Sequence, residues 1–195
     1  MITLDTIRSE RLDLVTLSAE FLEACLNRDL RAAVRILGLE IPDQWMEKIG
    51  LMRMRLDQLL EDETALPWVT RALVLRSEQT MIGHAGFHGK PGADHLRGYG
   101  ANVAEFGYTV YPEFRRNGYA LEASIALMEW ASRVHGVSQF AVSIRPLNAP
   151  SLSLARKLGF FRVGSQIDEI DGREDVFLLD YSPPSRLPSD EVTGA

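Results

Sequence analysis

Tyr108-Thr109-Val110-Tyr111-Pro112-Glu113-Phe114-Arg115-Arg116-Asn117-Gly118-Tyr119-Ala120 runs from the end of a strand, through a short polar turn, into a helix rich in small residues. Such a turn leaves backbone N–H groups unpaired at the positive end of a helix dipole, a geometry that receives a pyrophosphate. Gly118 lets the backbone come close to a ligand, Ala120 keeps the first helical turn uncluttered, and Arg115 and Arg116 add positive charge. Taken alone, R-x-x-G-x-A reads equally well as an ordinary helix start with exposed arginines. Two other phosphate loops are excluded. The chain has no G-x-x-x-x-G-K-[ST] and no G-x-G-x-x-G after a strand, which argues against an NTPase or a dinucleotide-binding domain.

Outward from this stretch, the helix is expected to run from about residue 117 to 135 and to end at Gly136. A short apolar strand follows over 139–144, then a helix over about 150–158, stopped by Gly159. Two final strands, about 160–169 and 174–181, flank Asp171-Gly172, a strong hairpin signal. On the N-terminal side, 103–111 is a strand, and 89–101 is a loop with four glycines and a proline. Strands over 68–76 and 80–88 are joined by Ser77-Glu78-Gln79, the length of a hairpin loop. Earlier still, Leu12, Leu14 and Leu17 mark a first strand. Ser18 caps a helix bearing Phe21, Leu22, Cys25, Leu26 and Leu30, and Pro42 opens a second one bearing Trp45, Ile49, Met52, Leu56, Leu59 and Leu60. The predicted order is strand, two helices, three strands, helix, strand, helix, two strands. That order implies an α+β fold with a mixed sheet of about seven strands and about four main helices. Residues 1–181 are expected to form one domain, and the tail 182–195, with three prolines and little to bury, is expected to be disordered.

The bulk numbers narrow the function. The 195 residues suit one core, and 46% hydrophobic with 25% charged residues is ordinary for a globular protein. A net charge of −6 offers no basic footprint for a nucleic-acid backbone. No apolar run reaches the roughly 18 to 20 residues of a membrane helix. The first residues lack the basic and apolar regions of a signal peptide, and Cys25 has no cysteine to pair with. Cys25 therefore reads as a small core residue, and the chain is expected in the cytoplasm.

The quoted stretch resembles the main motif of the GNAT acetyltransferase superfamily, [QR]-x-x-G-x-[GA] after the fourth strand; Arg115, Gly118 and Ala120 match it. Asn148-Ala149-Pro150-Ser151 followed by Lys157-Leu158-Gly159-Phe160 resembles the second motif, N-x-x-S, a helix, then K-x-G-F. Ser9-Glu10-Arg11-Leu12, Ala104-Glu105-Phe106-Gly107-Tyr108 and Asp171-Gly172-Arg173 are similar to hallmarks of the branch containing the ribosomal-protein N-terminal acetyltransferases (RimJ/RimL-like). The resemblance spans roughly residues 8 to 181. It implies an N-acetyltransferase moving acetyl from acetyl-CoA, its cosubstrate, to a primary amine. The acceptor would be a protein N-terminus, or alternatively a small amine or antibiotic, with a homodimer open to such a protein. It also implies a sheet splayed between the fourth and fifth strands to admit the pantetheine arm, with a β-bulge in the fourth. Arg115, Arg116, Asn117, Gly118, Tyr119 and Ala120 would hold the pyrophosphate. Tyr108, Thr109 and Val110 would pair their backbone with pantetheine, with the Val110 N–H polarising the thioester carbonyl. Asn148 would help hold the coenzyme and Lys157 would approach its phosphates, although alone they read as a helix cap and a solvated face.

For the chemistry, an amine must lose a proton, an oxyanion must be stabilised and a thiolate must leave. Glu105 is the candidate base, directly or through water. Strand alternation sets its side chain on the face of Gly107 and Thr109, opposite Phe106 and Tyr108. A structural or substrate-binding carboxylate is the alternative. An α-amine has a pKa near 8, so about a tenth is already neutral at pH 7 and needs less help than a lysine. Many GNAT members protonate the leaving thiolate with a tyrosine seven residues after the motif asparagine. Here that position is Ala155, and the resemblance assigns the task to Ser151, which otherwise reads as a second cap. The missing tyrosine also keeps open a non-catalytic coenzyme A-binding module. His84, His88, His95 and His135 are scattered, so no metal is expected. His84, His88 and Tyr99 read first as surface or packing residues, and Trp45 and Met46 as core on a helix that walls the acceptor site in the family.

Overall fold

The computed structural model describes residues 6–168 and 172–183. It contains one eight-stranded sheet in the order β1-β2-β3-β4-β5-β6-β8-β7. The strands are β1 (Thr6–Arg8), β2 (Leu12–Thr16), β3 (Thr70–Leu75), β4 (Thr80–Phe87), β5 (Val103–Val110), β6 (Gln139–Ile144), β7 (Phe161–Asp168) and β8 (Gly172–Asp180). All neighbours are antiparallel except β5 and β6. The predicted α+β class with a mixed, mainly antiparallel sheet is what forms. The eighth strand is the short β1, three residues too few to announce themselves in sequence. It shifts the count, so the predicted fourth and fifth strands are β5 and β6. Asp171 of the expected hairpin turn lies outside the described residues, as does the tail from residue 184.

Alternation along β3 shows how the sheet is sandwiched. Leu73 and Leu75 enter a core that includes Phe87, Phe106, Phe140 and the inner face of α5 (Tyr119–His135). Ala72 and Val74 enter the opposite core, with Phe21, Cys25, Trp45, Met52 and Tyr111. Successive side chains point to opposite faces, so a strand covered on both sides is apolar at nearly every position.

The two predicted N-terminal helices each break in two. Asp29 caps a new helix by accepting from the Ala32 N–H, and Arg28 turns the chain with φ 57°. The result is α1 (Ala19–Leu26) and α2 (Leu30–Leu37). Likewise α3 (Asp43–Met46) stops at Glu47, and α4 (Ile49–Glu61) restarts after Lys48. Apolar spacing runs through both breaks, because each pair still buries one face. The C-terminal α6 (Ala149–Leu158) ends on Gly159 at φ 90°, as expected.

The feature that matters most is the divergence of β5 from β6. They pair only through Val103↔Gln139, Ala104↔Phe140 and Glu105↔Ala141. Beyond Ala141, β6 stays with β8 as far as Ile144↔Asp175 and leaves β5 behind. The expected bulge is not in β5, whose register against β4 is unbroken from Phe106 to Val110. The irregularity falls on β4 instead, where Leu73 pairs Gly83 and Val74 pairs Met81. The strands part here because β6 follows β8, with no extra residue needed in β5.

Candidate functional site

Two segments build the mouth of the gap. After β5, Pro112–Phe114 forms a 3₁₀ turn, Arg116 adopts φ 66° and Gly118 φ 83°, and α5 begins. The first intrahelical bond runs from Glu122 N to Gly118 O, and no side chain caps the N-terminus. The N–H groups of the first helical turn are therefore left pointing out of the helix end. Arg115 Nε donates to Val110 O at 2.9 Å and Asn117 Nδ2 donates to Phe114 O at 3.1 Å, which fixes the loop's shape from inside.

Arg11 holds this loop from outside. Its backbone N–H and its Nε donate to the two Glu122 carboxylate oxygens at 2.6 and 2.7 Å, and its Nη1 donates to Asn117 O at 3.0 Å. The guanidinium also lies 4.5 Å above the Tyr119 ring. Ser9 Oγ donates to Glu122 as well, at 2.6 Å. Burial alone would raise the Glu122 carboxyl, but the Ser9 and Arg11 bonds outweigh it and lower it. The Ser-Glu-Arg-Leu stretch thus ties the first long strand to the start of α5.

Inside the gap, the ladder decides which backbone groups face outward. Glu105 O accepts from His88 N and Tyr111 N donates to Ile82 O, so the odd positions of β5 face β4. Backbone groups alternate along an antiparallel strand. Those of Tyr108 and Val110 consequently turn to the side that β6 has vacated. A cleft of about 180 Å³ lies there, walled by Phe106, Gly107, Tyr108, Ser143, Asn148 and Ser151 among others. Tyr108 and Ser151 stand together on the cleft wall, and burial pushes the Tyr108 phenol up. Asn148 caps α6 by accepting from Ser151 N at 3.3 Å, which leaves its amide Nδ2 as the donor available to the cleft. Lys157 is exposed in the last turn of α6.

A second cleft, about 270 Å³, adjoins the first, and Glu174 lines both. Its wall holds Glu105, His88, His95, Gln166, Ile167 and Asp168. Glu105 is 5% exposed and sits at the centre of a polar cluster. Ser143 Oγ donates to its Oε1, His95 Nε2 lies 2.8 Å and His88 Nδ1 3.3 Å from its Oε2. Burial by itself would raise this carboxyl. The His88 imidazole beside it, with Ser143 and His95, outweighs burial and holds it down to about 2. Among the described residues, no three His, Cys, Asp or Glu side chains are arranged to hold a metal ion.

Residues 11–161 match the acetyltransferase (GNAT) domain family. The chain belongs to that family. It is an acetyl-transferring enzyme, and its fold is the GNAT fold. Among curated relatives it is 27% identical to the uncharacterised N-acetyltransferase YjdG of Bacillus subtilis over 79% of this chain and 88% of that protein. It is 28% identical to YnaD, another uncharacterised N-acetyltransferase of that organism, over 47% of this chain; the match spans about half of YnaD, 49%. Among solved structures it is similar to RimL, a ribosomal L7/L12 alpha-N-protein acetyltransferase in complex with coenzyme A. The TM-score is 0.59 and the identity 16%, with 90% of this chain and 98% of that one covered. No described helix of this GNAT protein is long and apolar enough to cross a membrane.

Four of the residues singled out in the sequence as site residues line the two clefts, Tyr108, Asn148 and Ser151 the first and Glu105 the second. Tyr108 lines the first from β5, and Asn148 and Ser151 line it from the start of α6. Thr109, Val110, Lys157 and the turn from Arg115 to Ala120 are not part of that lining, the turn lying between β5 and the first residues of α5. Glu105 lies on the face of Gly107 and Thr109, with Phe106 and Tyr108 directed to the α5 core. Trp45 is fully buried and Met46 packs beside it. Tyr99 packs beside Val163, its hydroxyl directly over Gly164, and His84 is buried against Trp45. Two residues were undervalued in sequence, His88 and His95. Each becomes visible only through its contact with Glu105, and a loop of fifteen residues between β4 and β5 hides the register that makes it.

Proposed function

We propose that this enzyme transfers acetyl from acetyl-CoA to an α-amine at a protein N-terminus. The observation that carries this reading is the adjacency of the two clefts, which share Glu174: the gap between β5 and β6 opens beside a pocket lined by Glu105, Asp168 and Glu174. Coenzyme pyrophosphate would lie on the backbone N–H groups of 115–120, where the dipole and the close approach at Gly118 favour it. Pantetheine would run along Tyr108 to Val110 as an added strand does, and the Val110 N–H would stabilise the oxyanion. Asn148 Nδ2 would donate to the coenzyme, and Lys157 would meet its phosphates. Ser151, beside Tyr108 on the cleft wall, would protonate or hydrogen-bond the departing thiolate. Carboxylates around the second cleft give it a negative field suited to a cationic amine. RimL, with the same fold, acts by its description on an alpha-N-amine of a ribosomal protein.

The test is coenzyme A release measured with a panel of N-terminal peptides, their Nα-acetylated controls, polyamines and aminoglycosides. Turnover with free-N-terminus peptides and none with blocked ones is expected. Turnover confined to small amines would replace the protein acceptor by a small one.

A further inference from the structure

The Glu105 cluster contains more than the proposed reaction has used. A carboxylate serves as a base through a lone pair that is free and basic. Glu105 has hydrogen-bond partners on both oxygens and is nearly buried. It has the surroundings of an orienting group. The two imidazoles it holds are about half exposed, 46% for the His88 side chain and 47% for His95, and both line the second cleft. They differ in how they are held. His95 approaches Glu105 with Nε2, whereas His88 approaches with Nδ1.

That difference sets where the far nitrogen of His88 lies. A Cβ placed on Gly107 would be 3.1 Å from His88 Nε2, so this nitrogen stands directly over the β5 backbone at residue 107. Gly107 also lines the first cleft, next to Tyr108. The missing side chain at 107 is what admits the imidazole tip to the junction of the two clefts. The β4 end is itself anchored, since Arg55 Nη1 donates to His88 O at 2.8 Å. His88 Nδ1 stands 3.3 Å from Glu105 Oε2, an ion-pair distance longer than the 2.8 Å bond of His95, and a proton held on Nδ1 towards that carboxylate leaves Nε2 as a lone-pair acceptor.

We propose that His88 is the general base of this enzyme, taking the acceptor's proton on Nε2, with Glu105 as the positioning residue that holds Nδ1. The proposal rests on the acetyl-transfer reading above. An acceptor ammonium gives one proton to His88 Nε2, and the freed nitrogen pair forms the C–N bond to the thioester carbonyl. The C–S bond then breaks with its electron pair on sulfur. A second proton from nitrogen balances the thiolate, and the imidazolium returns its proton to water. Imidazole suits this role because it both takes and gives a proton near neutrality.

The experiment is steady-state coenzyme A release at saturating acetyl-CoA with wild type, His88→Ala, His95→Ala and Glu105→Gln. For His88→Ala, kcat is expected to fall about 10²-fold. Its KM for acetyl-CoA should stay unchanged, and added imidazole should restore part of the rate. His95→Ala should lose far less. Glu105→Gln should lose kcat without imidazole rescue, because His88 still fills the position that free imidazole would take. A His88→Ala enzyme at the wild-type rate, or one that imidazole does not rescue, overturns the proposal. Glu105→Gln inactive beside an active His88→Ala would make Glu105 the base and overturn it too. Nitrogen NMR of the imidazoles gives a readout independent of turnover. His88 in the folded wild type should carry its proton on Nδ1, and Glu105→Gln should change that; an Nε2–H tautomer in wild type sinks the proposal. A wild-type enzyme that releases no coenzyme A with any acceptor would instead sink the acetyl-transfer reading, while the NMR still decides His88.

Discussion

The proposed coenzyme end and the proposed acceptor end of the molecule are built on different principles. The loop 115–120 offers main-chain N–H groups, and its shape is fixed by short-range bonds such as Arg115 to Val110 and Asn117 to Phe114. The Glu105 cluster works through side chains brought from four places: β5, the end of β4, the loop at His95 and Ser143 on β6. A backbone cradle needs a few residues close together in sequence; a side-chain cluster needs the whole sheet to be in register. The difference should appear in kinetics, with damage to the cradle read as affinity and damage to the cluster or the α6 start read as rate.

The largest expected effect sharpens the contrast on the rate side. Ser151→Ala should lower kcat about 10²-fold. The loss should be similar at pH 6.5 and pH 9, because the thiolate leaves at either pH, and acetyl-CoA affinity should stay within a few-fold. A silent variant, measured by coenzyme release, would take the leaving-group role from Ser151. Gly118→Val attacks the other end. At φ 83° a branched residue is strained, and its Cβ would meet the Arg11 guanidinium, 3.4 Å away, so the turn proposed to hold phosphate would have to shift. Coenzyme affinity by calorimetry should drop at least tenfold, about 1.4 kcal/mol. Unchanged affinity would remove the loop from the site and erase the comparison.

Smaller effects are expected away from the ligand contacts. Arg11→Met unties Glu122 and Asn117 from outside, so coenzyme affinity should fall only a few-fold. The stability loss should be about 1 kcal/mol, since the pair is partly exposed. Melting with and without coenzyme A separates the two losses, and an affinity loss as large as that of Gly118→Val would mean Arg11 contacts the ligand. The smallest effect concerns β4, which carries a buried histidine four residues before the half-exposed His88. Burial, with repulsion from Lys48 and Arg55, lowers His84 from 6.5 to about 4. Between those values the unfolded chain binds more protons than the folded one. Stability from this group is therefore full above about pH 6.5 and is lost as pH falls toward 4. His84→Leu should flatten the slope of denaturation midpoint against pH in that window. An unaltered slope would show that His84 does not titrate as its burial requires.

The turn before α5 was readable because its residues are contiguous: Arg115, Gly118 and Ala120 declare a turn with special backbone needs, and Gly118 takes φ 83° there. Asn148 and Ser151 were readable for the same reason, being a cap and its first turn. The helix breaks at Arg28 and Glu47 were not, since apolar spacing passes through them undisturbed. Glu105 could be placed on the correct face by alternation alone. Its partners could not, because the contacts of His88 and His95 depend on the β4–β5 register, and a fifteen-residue loop leaves that free. The Arg11 clamp reaches from residue 11 to residue 122, and nothing in either segment names the other.

The weak hold between β5 and β6 has a consequence for the order in which the enzyme can become competent during synthesis. Three residue pairs join β6 to β5, whereas six join it to β8. A chain emerging from its N-terminus completes the cradle and the Arg11 clamp by residue 122, but β6 lacks its main partner until β8 has been made, at residues 172–180. Nascent chains stopped before that point would own a phosphate loop and no second wall to the gap. On the proposed function, coenzyme capture would be a property of the nearly finished polypeptide, and the coenzyme a late-arriving brace between two halves of a sheet that its own strands join only at one end.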